Sequence, residues 1–213
     1  MADLIIVCDF DGTITKEDSL YNFFKEYAKP YWLEIEKMWQ DGKIGSRECL
    51  KKQFDLIENL TPELIEEYTD KIEIDDYFKE FNELRLKCNK NLIIVSDGVD
   101  YFINKILQKN DIKGIEIVSN HAEFINGKFT ISFPNGFQDC QTNSGTCKCK
   151  IVKDLKSKYK KVVYIGDGAS DFCVATCADL LFAKSSLLTY CKNKDINCIE
   201  YQNFKGVIDH GCI

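Results

Sequence analysis

Three apolar segments of this chain end in the same way, and this repetition limits the fold more than any other feature. LIIVC is followed by DFDG, a second LIIV by SDG, and VVYIG by DG. An apolar run without alternation is typical of a strand buried on both faces of a parallel sheet. Helical patterns follow the second and third runs, and Asn126-Gly127 between two further β-type runs indicates a hairpin at the sheet edge. The sequence therefore predicts an α/β fold with a doubly wound parallel sheet.

A long segment between the first two strands carries helical signals and no convincing strand. Asp18 or Ser19, Ser46, and Thr61 before a proline are each placed to cap the N-terminus of a helix. A block of helices inserted after the first strand indicates a separate unit. We therefore expect an α/β core formed by residues 1–14 and 87–213, and a helical cap domain formed by residues 15–86.

Composition and charge exclude several classes of protein. Lys and Arg number 28 and Asp and Glu number 34 among the 213 residues, so the formal net charge is −6. This net charge repels a phosphate backbone and argues against nucleic acid as a partner. The first apolar run is far shorter than the roughly 20 residues of a membrane span and ends at an aspartate. We therefore expect no membrane span, no signal peptide and a cytoplasmic location.

The cysteines indicate reduced thiols rather than a disulfide scaffold. Their number, 11, is odd, and the chain is long enough to bury a hydrophobic core. Cys140, Cys147 and Cys149 form one tight group, but the chain lacks the paired CxxC motifs typical of structural zinc sites. At the level of the sequence, metal binding by this group stays open.

The polar residues that end the three apolar runs indicate one site. The carboxyl ends of parallel strands share one edge of a sheet, where such folds bind ligands. Asp9 and Asp11 lie two residues apart, so in an extended chain their side chains project to the same side. Asp167 and Asp171 add negative charge to this edge. Carboxylates this close repel each other unless a cation relieves them, and oxygen ligands favour Mg²⁺.

A phosphate ligand at such an edge needs a local cation, and few residues can supply it. The loop QTNSGTCKCK precedes a helical pattern and offers Lys148 and Lys150. A lysine there could neutralise phosphate oxygens. Arg47 is a candidate partner for a substrate carboxylate, although the first turn of a predicted helix also suits a plain surface residue.

Four motifs resemble those of the haloacid dehalogenase-like phosphohydrolase superfamily: DFDGTIT, IVSDG, GTCK and GDGASD, which occur in this order between Asp9 and Asp171. The helical insert after the first motif resembles the C1 cap of the phosphoserine phosphatase-like branch. The segments SGTCKCKIV and FAKSSLLTYCKNKDINCIEYQNF are similar to the 2-hydroxy-3-keto-5-methylthiopentenyl-1-phosphate phosphatases of methionine salvage. Two motifs depart from that family, which commonly has GDSVTD in the fourth motif and glycine at the position of Asp97.

The resemblance implies a magnesium-dependent phosphatase that hydrolyses a small phosphorylated metabolite through an aspartyl-phosphate. It assigns the nucleophile to Asp9 and the general acid/base to Asp11, and the family's spacing to the following helix favours Lys148 over Lys150. The remaining assignments are Ser96, Asp97 and Lys148 for phosphate, and Asp9, Asp11, Asp167 and Asp171 for Mg²⁺.

Other functions are compatible with the same residues. Phosphoserine is an alternative substrate, and a phosphotransferase would differ only in the acceptor. A dehalogenase is disfavoured because a departing halide needs no proton, whereas Asp11 supplies one. A receiver domain is shorter and carries its phosphorylated acid after the middle strand. A non-catalytic, metal-binding interaction protein is the alternative from a different class. The sequence does not indicate an oligomeric state.

Overall fold

The three apolar runs lie side by side at the centre of a seven-stranded sheet in the computed structural model, which describes residues 2–211. The strand order is β4-β3-β2-β1-β5-β6-β7, and all neighbouring pairs are parallel except the antiparallel pair β3–β4. The predicted doubly wound sheet is confirmed. The strands are β1 (Ala2–Cys8), β2 (Asn91–Val99), β3 (Glu116–Ile125), β4 (Lys128–Ser132), β5 (Tyr159–Gly166), β6 (Leu180–Ala183) and β7 (Ile199–Glu200).

Helices cover both faces of this sheet and fill the segment after β1. Within residues 2–211, no helix combines the length and apolar character needed to cross a bilayer. The helices are α1 (Ser19–Tyr27), α2 (Trp32–Gln40), α3 (Ser46–Phe54), α4 (Pro62–Thr69), α5 (Phe78–Lys87), α6 (Asp100–Lys109), α7 (Lys148–Lys156), α8 (Ser185–Asn193) and α9 (Phe204–Asp209).

The prediction of an α-helix after the third apolar run is wrong. This segment forms a short 3-10 helix, Ala169–Asp171, followed by turns. The Asp171 side chain accepts hydrogen bonds from the main-chain N–H groups of Asp167 and Gly168, at 3.0 and 3.2 Å. These bonds hold the chain in a tight turn at the end of β5, which a regular helix would not allow.

The absence of alternation in the central strands is explained by burial on both faces. In β1, Ile6 and Cys8 pack on one face with α5, α6 and α9, while Ile5 and Val7 pack on the other with α7 and α8. All four side chains are at most 2% exposed. The strands are therefore fixed from both sides, and so are the loops at their carboxyl ends.

Helices α1 to α4 form a separate layer over that end of the sheet. Their apolar core includes Phe23, Phe54 and Tyr68, and it continues onto Phe102 of α6 and Phe129 of β4. Helix α5 instead packs with the sheet core through its phenylalanines. We propose that the cap domain ends near residue 74, ahead of the expected boundary at residue 86.

Two of the expected helix caps are observed, and one is replaced. Asp18 accepts the N–H of Tyr21 at the start of α1, and Thr61 accepts that of Leu64 at the start of α4. Ser46 does not cap α3, because it is the first helical residue and its Oγ accepts the N–H of Gly145 at 3.0 Å. The bond instead ties the cap to the loop before α7.

The predicted hairpin is confirmed at the edge of the sheet. Asn126 and Gly127 connect β3 to β4 with φ angles of 50° and 77°. Positive φ at both central residues is the conformation that a two-residue hairpin requires, and Asn-Gly adopts it readily. The hairpin carries Phe129 against the cap, so it supports that layer from the side.

Candidate active site

Three carboxylates meet where β1 and β5 end. Oxygen atoms of Asp9, Asp167 and Asp171 all lie within 4.8 Å of one another. Asp9 directly follows β1, and the other two follow the neighbouring β5, so the shared strand edge brings them together as expected. The Asp9 side chain is almost fully buried, and its burial together with the Asp171 carboxylate raises its pKa well above the ordinary value.

Lys148 supplies the positive charge in this cluster. Its Nζ lies 2.7 Å from Asp9 Oδ1 and 2.7 Å from Asp171 Oδ1, and its side chain is 1% exposed. Burial by itself lowers the pKa of Lys148, but the ion pairs with Asp171 and Asp9 outweigh it and raise the pKa. Lys150 points elsewhere, because its ammonium pairs with Asp154 on the surface of α7. The structure thus brings Lys148, and not Lys150, to the strand edge.

Asp171 organises the cluster through both of its carboxylate oxygens. Oδ1 accepts hydrogen bonds from Lys148 and from the Tyr164 hydroxyl, at 2.7 and 2.6 Å. Oδ2 accepts the two main-chain N–H groups of the turn after β5. The residue is fully buried. It therefore fixes the lysine and the turn that carries Asp167.

Oxygen atoms on Asp9 and Asp167 are left for a cation. Asp9 Oδ1 pairs with the lysine, and Asp167 Oδ1 accepts the Thr13 hydroxyl at 2.7 Å. Among the hydrogen bonds of residues 2–211, none uses Oδ2 of Asp9 or Asp167. Three carboxylates against one ammonium leave excess negative charge, and this donor set fits a divalent cation with oxygen ligands.

Asp11 faces the same cleft from the loop after β1 and has a shifted pKa. Burial and then the neighbouring Asp18 carboxylate raise the pKa of Asp11 to about 7, against opposing hydrogen bonds from Ser19. Both the Ser19 N–H and its hydroxyl donate to Asp11 Oδ1. A carboxyl group with a pKa near neutrality can donate a proton and later accept one at physiological pH.

Ser96 and Asp97 lie in the last part of β2, the strand that neighbours β1 on the side opposite to β5. The Ser96 hydroxyl lines the cleft and accepts the Gly98 N–H at 2.9 Å. Asp97 also lines the cleft, but its Oδ1 accepts the main-chain N–H of Thr146 at 2.9 Å. Burial raises the pKa of Asp97, while hydrogen bonds from Ser46 and Thr146 oppose this. Its contacts therefore tie β2 to the cap and to the loop that precedes Lys148 and α7.

Two glycines allow these groups to approach one another. A Cβ atom on Gly98 would lie 2.7 Å from Asp11 Oδ2, and one on Gly12 would lie 2.5 Å from Asp167 Oδ2. Gly12 also has a φ of 74°, a conformation that L side chains rarely adopt. The glycines after the polar residues are therefore required by the packing of the site.

The cap closes the cleft with a different set of side chains. Helices α1, α2 and α3 contribute apolar and aromatic groups together with two carboxylates and an amide. Among the described residues, those that the cap contributes to the cleft include no lysine or arginine. The cap residues of this wall are Asp18, Leu20, Tyr21, Phe24, Glu36, Trp39, Ser46, Cys49, Leu50 and Gln53.

Arg47 does not belong to this wall. Its Nε donates to the Ser144 carbonyl at 2.8 Å and its Nη2 to the Phe137 carbonyl at 3.1 Å. It therefore joins α3 to the loop before α7, and the expected contact with a substrate carboxylate is not formed by this arrangement. A plain surface position is also wrong, because both bonds cross from the cap to the core.

Several residues of the site escaped prediction from the sequence. Thr13 and Ser170 lie inside the recognised motifs, so those motifs could have indicated them. Thr13 donates a hydrogen bond to Asp167, and Ser170 accepts one from Lys148 at 2.9 Å. No sequence pattern marks Tyr164 as a site residue, since it occupies an apolar strand position and only its hydroxyl reaches Asp171. Glu36 and Gln53, which hydrogen-bond to each other at 3.0 Å, look like ordinary polar positions of amphipathic helices.

Comparison with known proteins agrees with this fold and site. The chain matches the haloacid dehalogenase-like hydrolase family over residues 6–176 and belongs to that family. It is 32% identical over 205 residues to the 2-hydroxy-3-keto-5-methylthiopentenyl-1-phosphate phosphatase of Bacillus velezensis, with 95% of this chain and 87% of that protein covered. The corresponding phosphatase of Bacillus pumilus is 31% identical, with 94% and 87% covered.

A structural comparison finds the same architecture. A substrate-bound phosphoserine phosphatase complex superposes with a TM-score of 0.72, at 22% identity, over 99% of this chain and 98% of that chain. This likeness shows the fold. The family match and the named relatives show that the chain is a phosphoric monoester hydrolase. The predicted enzyme class and family resemblance are therefore confirmed.

Proposed function

We propose that this protein is a magnesium-dependent phosphatase that forms an aspartyl-phosphate on Asp9. The observation that carries the proposal is the placement of Asp9 between Lys148, 2.7 Å away, and Asp167 of the carboxylate cluster. A carboxylate in this position has a cation on one side and a metal-compatible oxygen ligand on the other. Attack by an anion on a phosphate requires such compensation.

The residues divide the reaction into two steps. Asp9 attacks the phosphorus, and Asp11 protonates the departing alkoxide. Asp11 then accepts a proton from the water that hydrolyses the acyl phosphate. Lys148 and Ser96 hold phosphoryl oxygens, and Asp171 keeps the lysine in place. We infer that Asp97, whose carboxylate accepts a hydrogen bond from Thr146 in the loop before α7, positions that loop rather than the phosphate.

The metal site is assigned to Asp9 and Asp167, with the main-chain carbonyl of Asp11 as the further ligand expected in this family. When bound, Mg²⁺ supplies charge compensation for the phosphoryl group and the attacking carboxylate. Asp171 was also expected to bind Mg²⁺. Because its two oxygens already accept four hydrogen bonds, we propose that it positions the other groups instead of coordinating the ion.

The cap wall supports a substrate whose leaving group has no negative charge. The leaving group of 2-hydroxy-3-keto-5-methylthiopentenyl-1-phosphate, the compound that names the relatives, carries hydroxyl, keto and thioether groups. Trp39, Phe24 and Leu50 suit the methylthio chain, while Gln53 and Ser46 offer hydrogen bonds. We therefore propose this methionine-salvage intermediate as the substrate. Cytoplasmic location stays a prediction that accompanies it.

Phosphoserine is the second candidate, supported by the fold of the structural neighbour. Its amino group would find Asp18 or Glu36 on the cap wall, but its carboxylate would meet no lysine or arginine among the described residues of that wall. An unpaired carboxylate in a half-buried cleft is unfavourable. The contacts therefore favour the uncharged leaving group.

Rates with three phosphomonoesters test both parts of the proposal. We expect kcat/KM to be highest for the methionine-salvage intermediate, lower for phosphoserine, and measurable for an aryl phosphate. EDTA should abolish all three activities and excess Mg²⁺ should restore them. Full turnover in metal-free buffer would contradict the mechanism, and a preference for phosphoserine would contradict the substrate assignment while leaving the mechanism intact.

A further inference from the structure

A second cavity lies beside the loop before α7 and the start of that helix, and it is lined by four cysteines. Cys140 belongs to the loop before α7, Cys147 and Cys149 flank the start of α7, and Cys173 follows the 3-10 helix. The Sγ atoms of Cys147 and Cys149 lie 3.6 Å apart. Cys140 lies beside Cys147, and Cys173 lies beside Cys149. All four are free thiols.

The two central thiols enclose the residue on which the reaction depends. Lys148 stands between Cys147 and Cys149 in the chain, and its Nζ is held by Asp9, Asp171 and the Ser170 hydroxyl. The side chains of residues 147–149 thus point to two different places in the molecule. The lysine ammonium contacts the active-site carboxylates of Asp9 and Asp171, and the two sulfurs line the second cavity.

We propose that Cys147 and Cys149 form an oxidation site whose disulfide switches the phosphatase off. Three observations carry this inference: the 3.6 Å separation of the sulfurs, their position on either side of Lys148, and a cavity that reaches them without passing through the active site. The effect on activity rests on the proposed role of Lys148. The formation of the disulfide does not.

The oxidant is a peroxide, and the step balances as two thiols plus hydrogen peroxide giving one disulfide and two waters. Cys149 is half-buried and lines the cavity, whereas Cys147 is 2% exposed, so Cys149 reacts first. Its sulfur attacks one peroxide oxygen, an S–O bond forms, the O–O bond breaks, and the departing hydroxide takes the thiol proton and leaves as water. The Cys147 sulfur then displaces hydroxide from this sulfenic acid, and the thiol proton leaves with it as water.

The bond would move the main chain at Lys148. The sulfurs must approach from contact distance to bonding distance, so residues 147 and 149 are drawn together around the lysine. Lys148 has no spare volume, because its side chain is 1% exposed and is held at 2.7 to 2.9 Å by three partners. A displacement of about 1 Å in such a group costs roughly 10²-fold in rate.

Limited oxidation by hydrogen peroxide tests the proposal in a Cys88→Ser background, which removes an exposed thiol. We expect a loss of two mass units, a Cys147–Cys149 crosslink in peptide maps, and an activity drop of about 10²-fold. Dithiothreitol should reverse all three. Cys149→Ser should keep its basal activity and resist peroxide.

Cys140→Ser and Cys173→Ser are the matched controls, since both thiols line the same cavity. Both variants should remain sensitive to peroxide. Protection by Cys140→Ser with continued sensitivity of Cys149→Ser would overturn the proposed pair. The proposal would also be overturned in favour of a metal site if the purified protein held one zinc ion per chain and if removing this ion made the thiols reactive towards peroxide. A crosslink that forms without loss of activity would contradict the role of Lys148 and retain the oxidation site.

Discussion

The sheet wall and the cap wall of the cleft hold their polar side chains in different ways. The sheet wall consists of the site residues at the ends of β1, β2 and β5 and at the start of α7. On this wall, Asp171 and Lys148 are buried and bonded to several partners that come from separate strand ends. On the cap wall, Gln53 and the neighbouring Gln40 donate hydrogen bonds to Glu36, and Glu36 and Gln53 lie among apolar side chains. The first arrangement fixes a reaction, since no group can move without disturbing the others. In the second arrangement, a substituted side chain can alter substrate preference without moving the groups that carry out phosphoryl transfer.

The largest effect that would test this division is expected at Asp9. Asp9→Asn removes the proposed nucleophile, and turnover of every phosphomonoester should fall by roughly 10⁴-fold or more, as for other covalent catalysts. Stopped reactions should contain no phosphoenzyme. Beryllium fluoride should raise the melting temperature of the wild type but not that of Asp9→Ala. Near-normal turnover in Asp9→Asn would refute the assignment.

The next largest effect on activity is expected at Lys148, and it distinguishes this residue from Lys150 in the same helix. Lys148→Ala should lower activity by at least about 10²-fold, because a preorganised charge beside the phosphoryl group is lost. It also leaves Asp9 and Asp171 without their cation, and breaking a buried pair costs about 3–5 kcal/mol, so thermal unfolding should occur at a lower temperature.

Lys150→Ala is the matched control, since Lys150 pairs with Asp154 at the surface. Its activity and melting temperature should stay close to those of the wild type. If Lys150→Ala were the inactive variant, the lysine of the third motif would have been assigned two residues too early, although the phosphatase class would stand.

An intermediate effect is expected from the protonation of Asp11. Its pKa is raised to about 7, so the acid form needed to protonate a leaving alkoxide predominates below pH 7 and is lost above it. For an alkyl phosphate, kcat/KM should therefore fall as the pH rises through 7. An aryl phosphate, whose leaving group needs little protonation, should show a weaker fall. Asp11→Asn should slow the alkyl substrate by about 10²–10⁴-fold.

Asp18 offers a sharper form of the same test. Its carboxylate is the second cause of the raised pKa of Asp11, after burial. Asp18→Asn should lower that pKa and move the alkaline fall of activity to lower pH. Identical pH profiles for the wild type and Asp18→Asn would show that a different group limits the rate.

The division between the walls also marks what the sequence can predict. Asp9 and Asp167 follow buried strands and Ser96 lies in the last part of another, and the shared edge of a parallel sheet was sufficient to bring them together. The family spacing was sufficient for Lys148. These predictions depend on short-range patterns combined with one rule of topology.

Contacts between distant segments were not predictable. Ser46 was expected to cap a helix, but its hydroxyl binds Gly145, 99 residues away. Arg47 reaches carbonyls of the same loop, and Cys173 joins a cysteine group that the sequence showed only in part. Each depends on how the cap and the loop before α7 pack together, which leaves no periodic signal in the sequence.

The smallest effect, and the one specific to the cap wall, is expected at Trp39. Trp39→Ala removes an aromatic contact from the leaving group while all sheet-wall residues stay in place. Such a loss is worth about 1–3 kcal/mol, so kcat/KM for the methionine-salvage intermediate should fall by about 10–200-fold, mostly through KM. An aryl phosphate should be affected only a few-fold. Leu33→Ala, on the exposed side of the same helix, is the control and should change neither substrate. An equal loss with both substrates would show that the cap wall also positions the reacting groups, and the separation of the two walls would then fail.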